Sequence, residues 1–188
     1  MKTSLLVALG LALPFALAGQ TPPGACTHRG SAADLAKRPS PLDSAQATIE
    51  GAVVKVCYGR PSARGRTMLG GELPFGTPWR LGANEPTRLT LPFAAEVAGV
   101  HVAAGTYSLY VVPQATSWEV HVNKVVDRSR IPIDAQVTAQ DVGKGTVPVE
   151  ALTQPVEQLT ISVVAGASSE LVVSWEKTRV HIPVKKAS

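Results

Sequence analysis

The chain has 188 residues, with 18 Lys and Arg against 14 Asp and Glu, and a formal net charge of +4 at pH 7. This mildly basic charge is spread along the sequence, without the Lys/Arg stripe of a nucleic-acid-binding surface or the basic amphipathic helix of a membrane-surface protein. The composition therefore favours one domain of ordinary size and excludes nucleic acid as a partner.

The N-terminus predicts a secretory signal peptide over residues 1–18. Lys2 precedes an apolar run from Leu5 to Leu17, and an Ala-x-Ala cleavage signal ends at Ala18. The run is too short to span a membrane, and no later stretch reaches that length. A lipid anchor is the alternative, but it needs a cysteine directly after the run, and the first one is Cys26. We expect a periplasmic or secreted protein without a transmembrane segment.

The next segment, residues 19–46, is rich in Pro, Ser, Ala and Gly and is typical of a tail or linker, with one helical turn near Ala32 to Lys37. It contains Cys26, and the second cysteine of the chain is Cys57. Export favours a disulfide between them, which stabilises by roughly 3 to 4 kcal/mol on the loop-entropy model. The alternatives are two free thiols, or a metal pair of Cys26 with His28.

From Ala47 to residue 185, apolar and polar side chains alternate with a period of two, which predicts β-strands. No segment keeps a helical period, and turn signals separate the runs. Many short strands with one apolar face each indicate an antiparallel β-sandwich of two packed sheets, with a closed β-barrel as the alternative. The predicted core is Val54, Val56, Leu89, Leu91, Tyr107, Leu109, Val111, Trp118, Ile161, Val173 and Trp175.

Residues 124–155 interrupt this alternation, since they carry many charges and few apolar pairs. We interpret them as a long excursion over one end of the sandwich, with a short strand at Thr146 to Val149.

Three histidines, His101, His121 and His181, each lie between apolar neighbours in a predicted strand. A period of two places them on the face opposite the core, where we expect solvated side chains. Zinc needs three or four converging ligands, and no ligand spacing is present, so we predict no metal site.

The stretch from residue 58 to 87 is loop-like, with six glycines and four arginines against two glutamates. Connections this long are usually functional or disordered, and the aromatic and aliphatic residues within it argue against disorder. Guanidinium groups suit carboxylate or phosphate, and an aromatic ring can stack on a ligand. The predicted ligand-binding residues are Tyr58, Arg60, Arg66, Trp79, Arg80, Asn84 and Glu85. The alternative is structural: Arg80 pairs with Glu85, Asn84 closes a turn and Trp79 belongs to the core.

The sequence predicts no cofactor and identifies no catalytic residue, because it has no nucleophile elbow and no phosphate-binding loop. We favour binding of a small anionic or polar molecule at this loop over catalysis. The first alternative is a hydrolase or isomerase with Glu85 or Glu72 as general base. The second is a non-catalytic envelope interaction module in which the loop only braces the sandwich. Protein partners stay unassigned.

The motifs of this loop also occur in a characteristic order with later ones, over residues 41–185. They are residues 58–62 (YGRPS), 65–66 (GR), 74–76 (PFG), 79–85 (WRLGANE), 104–109 (AGTYSL), Pro113 and 175–177 (WEK). Together they resemble a bacterial family of exported proteins, domain of unknown function 2911. The resemblance implies a secreted or lipid-anchored β-rich domain without an established activity or catalytic residues. Relatives have a longer, tryptophan-containing segment where this chain has Val125 to Gln140, which implies a more open pocket here.

Overall fold

The computed structural model describes residues 24–127 and 132–187, so the predicted signal peptide, residues 1–18, lies outside the described residues. Two short helices and nine strands make up these parts of the chain. In chain order they are α1 (Ala32–Ala36), β1 (Leu42–Ile49), β2 (Ala52–Gly59), β3 (Thr87–Leu91), β4 (Ala95–Val97), β5 (Val100–Val102), β6 (Gly105–Pro113), β7 (Ser117–Asn123), α2 (Ala135–Thr138), β8 (Asp141–Val164) and β9 (Glu170–Lys186).

The nine strands form a single antiparallel sheet in the order β1-β2-β3-β6-β7-β8-β9-β4-β5. The all-β prediction is confirmed, and the sheet is open, with β1 and β5 at its ends, so the closed-barrel alternative is wrong. The expected division into two sheets is replaced by one continuous sheet because β8 is 24 residues long. Its first part, up to Pro148, pairs with β7, and its second part, from Val149, pairs with β9.

Both halves of the sheet contribute to one core. Buried side chains of β2 and β3 belong to the same cluster as those of β9 and of the β4–β5 hairpin. The predicted core residues are confirmed as buried, except that Tyr107 is partly buried and packs against the cluster. Period-two alternation therefore located the core correctly, because each strand has one face turned inward.

The predicted excursion over residues 124–155 is wrong from Asp141 onward, where β8 begins, although the short strand expected at Thr146 to Val149 is confirmed as part of β8. Its first ten residues bury only Val147, so the strand has almost no apolar alternation to detect. The helical turn near Ala32 is confirmed as α1, where the Ser31 and Asp34 side chains form a capping box. Strand β1 begins at Leu42, within the segment expected to be a tail.

A disulfide joins Cys26 to Cys57, as expected, with their Cα atoms 5.7 Å apart. It fastens the chain preceding α1 to the end of β2 and removes the alternatives of free thiols or a metal pair. A structural disulfide indicates folding in an oxidising compartment. Of the helices in the described ranges, none is long and apolar enough to cross a membrane.

Candidate functional site

The loop between β2 and β3, residues 60–86, is ordered because neighbouring strands hold it at several points. At its start, the Ala63 N–H donates to the Glu157 carbonyl and the Leu159 N–H donates to the Pro61 carbonyl, both at 2.9 Å. Further along, Trp79 exchanges two backbone hydrogen bonds with Val111 of β6, at 2.7 and 2.8 Å.

The side chain of Glu176 holds the middle of the loop. Its two carboxylate oxygens accept the backbone N–H groups of Met68 and Leu69, at 2.9 and 2.8 Å. Glu176 lies in β9, at a point where the β8–β9 register shifts, and its φ is +51°, which is rare for a residue other than glycine. This conformation allows the carboxylate to satisfy two N–H groups of the turn that begins at Met68.

The end of the loop closes against β2 at Gly59. The Ala83 N–H donates to the Gly59 carbonyl at 3.2 Å, and a Cβ atom at Gly59 would overlap the carbonyl oxygen of Ala83. Only glycine allows this close backbone approach. The YGRPS motif and the WRLGANE motif therefore meet here.

The three tryptophans of the chain form one cluster beneath this end of the loop. The Trp79 ring stacks on Trp175 with centroids 5.3 Å apart and contacts the edge of Trp118 at 6.0 Å. The Trp79 indole N–H donates to the Gly82 carbonyl at 3.1 Å. Trp79 keeps 7% of its surface exposed, so it belongs to the core and also borders the surface.

A cavity of about 690 Å³ lies over this cluster. Its floor is formed by Trp79 and Trp175, and its polar rim by Arg80 and Asn84. One guanidinium N–H of Arg80, at Nη1, donates to the Asn84 carbonyl at 2.7 Å. Within the described part of the chain, no carboxylate lies within ion-pair distance of Arg80, so its charge has no counter-charge there. Met68, Leu73 and Ile133 also line the cavity.

Asn84 closes the loop as a turn residue at φ +64°, and its side-chain amide donates to the Ser40 carbonyl at 3.1 Å. Asn84 thus shapes the turn, as the structural alternative expects, and it also lines the cavity.

Four predicted site residues, Tyr58, Arg60, Arg66 and Glu85, lie outside this cavity. The buried Tyr58 hydroxyl accepts the Ile161 N–H at 3.0 Å, and burial is the main cause that raises its pKa. Arg60 donates to the Leu159 carbonyl at 3.1 Å and lies 3.4 Å from Asp43. These two side chains hold the loop's first residues. Arg66 is exposed and lines a different cavity.

Glu85 is buried, and its partner is Arg38 rather than Arg80. The Arg38 Nη1 atom lies 2.9 and 2.8 Å from the two carboxylate oxygens, and the Arg29 N–H donates to one of them at 3.0 Å. Burial acts to raise the pKa of Glu85, but the hydrogen bonds from Arg29 and Arg38 outweigh it and lower that pKa. Glu85 is therefore a weak base. Sequence reasoning missed Arg38 because it lies in the presumed tail.

The prediction of solvated strand histidines is wrong for His121. This side chain is 8% exposed and stacks on Tyr110 with ring centroids 4.2 Å apart. Its Nδ1 lies 2.9 Å from an Asp141 carboxylate oxygen, and its Nε2 lies 2.8 Å from Glu119. Side chains of β6 and β8 cover it. Among the residues the structure describes, no group of three or more His, Cys, Asp and Glu is placed to hold a metal ion.

A family model described as "Protein of unknown function (DUF2911)" matches residues 40–184. The chain belongs to this family. The match confirms the resemblance inferred from the sequence motifs, and the DUF2911 region includes the described strands almost completely. Both tryptophans of the cavity floor, Arg80 and Asn84 lie within it, whereas Cys26 and Arg38 precede it. No curated protein and no solved structure matches the chain.

Proposed function

We propose that this DUF2911 protein binds a small molecule in the cavity over Trp79 and Trp175, with an anionic or strongly polar group of the ligand at Arg80. The observation that carries the proposal is a guanidinium without a counter-charge among the described residues, beside a stacked pair of indole rings. Such rings favour flat or apolar ligand parts, and guanidinium groups favour carboxylate or phosphate.

The size and construction of the cavity also support binding. Ligand pockets are typically about 300 to 1,000 Å³, mostly apolar, with a few polar groups that fix orientation. Here Arg80 and Asn84 are those polar groups, and both belong to one turn that is tied to the Ser40 carbonyl. A turn anchored in this way presents its donors in a defined direction, which lowers the entropy cost of binding.

Binding fits the site better than catalysis. A hydrolase or isomerase needs a general base within reach of its substrate. The candidate base Glu85 is occupied by Arg29 and Arg38, and the same hydrogen bonds keep its pKa low. Glu72, the other candidate, is exposed and does not line the cavity.

The test is a thermal-melt screen of the oxidised protein against sugars, organic phosphates and carboxylates, followed by tryptophan fluorescence titration of each compound that raises the melting temperature. Because all three tryptophans belong to one cluster, emission reports on the cavity floor. Arg80→Gln removes the guanidinium, and Arg64→Gln is the matched control, since Arg64 is an exposed arginine of the same loop that does not line this cavity.

A ligand at about 100 times its dissociation constant should stabilise the wild type by about 2.7 kcal/mol. We expect this shift in Arg64→Gln and its loss in Arg80→Gln. Compounds that stabilise both variants equally, or no stabilising compound at all, would overturn the proposal and favour the envelope interaction module.

We also infer that the chain is exported, which the Lys2-led apolar run, the Ala-x-Ala signal and the disulfide support. Expression of the full chain in a Gram-negative host tests this. The expected product is a periplasmic protein that begins at Gly19 by mass spectrometry, and an uncleaved cytoplasmic protein would contradict export.

A further inference from the structure

A second cavity, of about 510 Å³, lies on the same loop, and the described linings of the two cavities have no residue in common. Neighbouring residues of the chain line different cavities. Met68 and Trp175 line the first, whereas Leu69 and Glu176 line the second. The turn that Glu176 holds therefore separates two distinct spaces.

The second cavity exists because β8 leaves β9 at this point. Ala151 pairs with Thr178 and Val156 pairs with Glu176, so the four residues 152–155 of β8 lie opposite Lys177 alone. Between Val156 and Thr160, where the register shifts again, β8 bonds to the loop at Pro61 and Ala63, and it then resumes its pairing with β9. Bulges of this kind commonly occur next to functional sites, where they redirect side chains.

Two cations, Arg66 and Lys177, line the cavity. Within residues 24–127 and 132–187, no carboxylate lies at ion-pair distance from either of them. Arg66 is oriented by two loop carbonyls, since its Nε donates to Ala63 at 3.0 Å and its Nη2 to Ser62 at 3.3 Å. No hydrogen bond to a described residue occupies its remaining nitrogen, Nη1. Lys177 is exposed and lines the same cavity.

The two acids of the cavity, Glu157 and Glu176, are already engaged by the loop. Glu176 accepts N–H groups from Met68 and Leu69, and Glu157 accepts the Arg64 N–H at 2.7 Å. These donors offset part of the negative charge of both carboxylates. Charge complementarity therefore favours an anion at Arg66 and Lys177.

An apolar surface adjoins these cations. Phe75 is 44% exposed although it belongs to an ordered turn, and Leu69 and Val156 line the same space. The Phe75 ring packs close to Gly70, where a Cβ atom would lie 2.7 Å from it, so the ring is held in place. A ligand that covered this ring would gain buried apolar area.

We propose that the second cavity binds an organic anion, with Arg66 and Lys177 at its carboxylate, sulfonate or phosphate group and Phe75 and Leu69 at its apolar part. This site stands independently of the function proposed for the first cavity, because different residues form it. Both cavities have an arginine that can bind an anion, so the experiment has to show which of the two cavities the ligand occupies.

The probe is 8-anilinonaphthalene-1-sulfonate, which joins a sulfonate to an apolar ring system, titrated into the oxidised, ¹⁵N-labelled protein. We expect the amide signals of Gly65, Leu69 and Lys177 to shift together and to give one dissociation constant. The double variant Arg66→Gln/Lys177→Gln should weaken binding by about tenfold or more, as expected for loss of charge-assisted contacts.

The matched control is Arg64→Gln/Lys124→Gln, which removes the same charge at two exposed residues that line neither cavity. It should bind the probe as the wild type does, and so should Arg80→Gln. Shifts confined to Arg80, Gly82 and the Trp79 indole would overturn the second site while supporting the first cavity. Equal affinity in the two double variants would also overturn it.

Discussion

His181 in β9 lies between two glutamates, which favour the protonated, positively charged form of its imidazole. Its Nδ1 lies 2.9 Å from Glu170 and its Nε2 lies 3.1 Å from Glu150. The hydrogen bond with Glu170 is the largest cause that raises the pKa of His181 above 6.5; burial opposes it, and Glu150 adds to the rise. A protonated imidazole can donate to both carboxylates, which a neutral one cannot do.

His181 should make folding stability depend on pH. The pKa of His181 is raised in the folded state. Its contribution to the free energy of unfolding is therefore fully present below the unfolded-state pKa of about 6.5, and it is lost as pH rises through the folded-state pKa. Solvent screening of this part-exposed side chain limits the effect to less than about 1 kcal/mol. We expect His181→Gln to reduce the fall in melting temperature above pH 6.5, measured by calorimetry.

His101→Gln is the control, since His101 is a strand histidine with 77% of its side chain exposed. Its pH profile should match that of the wild type. An unchanged profile in His181→Gln would show that the two glutamates do not hold a proton on His181 more tightly in the folded state.

At the scale of elements, the packing of β2 against the loop depends on backbone contact at Gly59. This glycine is buried and faces the carbonyl of Ala83, next to Asn84 at the cavity rim. Side chains usually adjust to an added methyl group, but this backbone carbonyl adjusts at a higher cost, because the N–H of the same residue, Ala83, is hydrogen-bonded to Gly59. The loop's last turn therefore has little freedom to move away from β2.

Gly59→Ala should destabilise the protein by about 1 to 3 kcal/mol, because the new Cβ atom forces Ala83 and the turn outward. Gly166→Ala is the matched control, since nothing lies within 4 Å of its added Cβ atom, and it should change stability by less than about 0.5 kcal/mol. Urea unfolding measures both. Equal midpoints for the two variants would mean that the turn accommodates the methyl group without cost.

The strands differ in how far the sequence predicts them. Those with one apolar face, such as β3 and β7, follow from period-two alternation alone. Of the β4–β5 hairpin only the strand around His101 was predicted, because each strand has three residues, too few to show a period. Only parts of the 24-residue β8 were predicted, around Thr146 to Val149 and Ile161. Most of the strand is exposed, so its full extent is set by pairing with β7 and β9 rather than by its own pattern.

At the scale of the molecule, the site is shaped by contacts between distant segments, which local sequence patterns do not report. The loop was recognised from its glycines, arginines and aromatic residues, and Trp79, Arg80 and Asn84 do line one cavity. The pairing of Glu85 with Arg38, 47 residues away, carries no sequence signal of its own. Of the long-range links, the disulfide was predictable, because the sequence predicts export and two cysteines in an oxidising compartment tend to pair.

The segment before the family-matched region therefore holds part of the cavity rim in place, and the disulfide should keep this segment attached to the sheet. Cys26 fastens it to β2, and Arg29 and Arg38 then hold Glu85 beside the cavity rim. The double variant Cys26→Ala/Cys57→Ala should lose about 3 to 4 kcal/mol, from the entropy of a loop closed over a separation of 31 residues. We expect the melting temperature to fall by roughly 10 °C in a domain of this size.

Hydrogen exchange shows whether the segment itself is released. The Arg29 amide donates to Glu85, and in the double variant it should exchange faster than in the wild type. The increase should be larger than the global loss of stability explains. The Trp79 amide, held by Val111 within the sheet, is the internal control and should follow global stability alone. If Arg29 stays as protected as Trp79, the ion pair with Glu85 holds the segment without the disulfide, and the disulfide stabilises only through the unfolded chain.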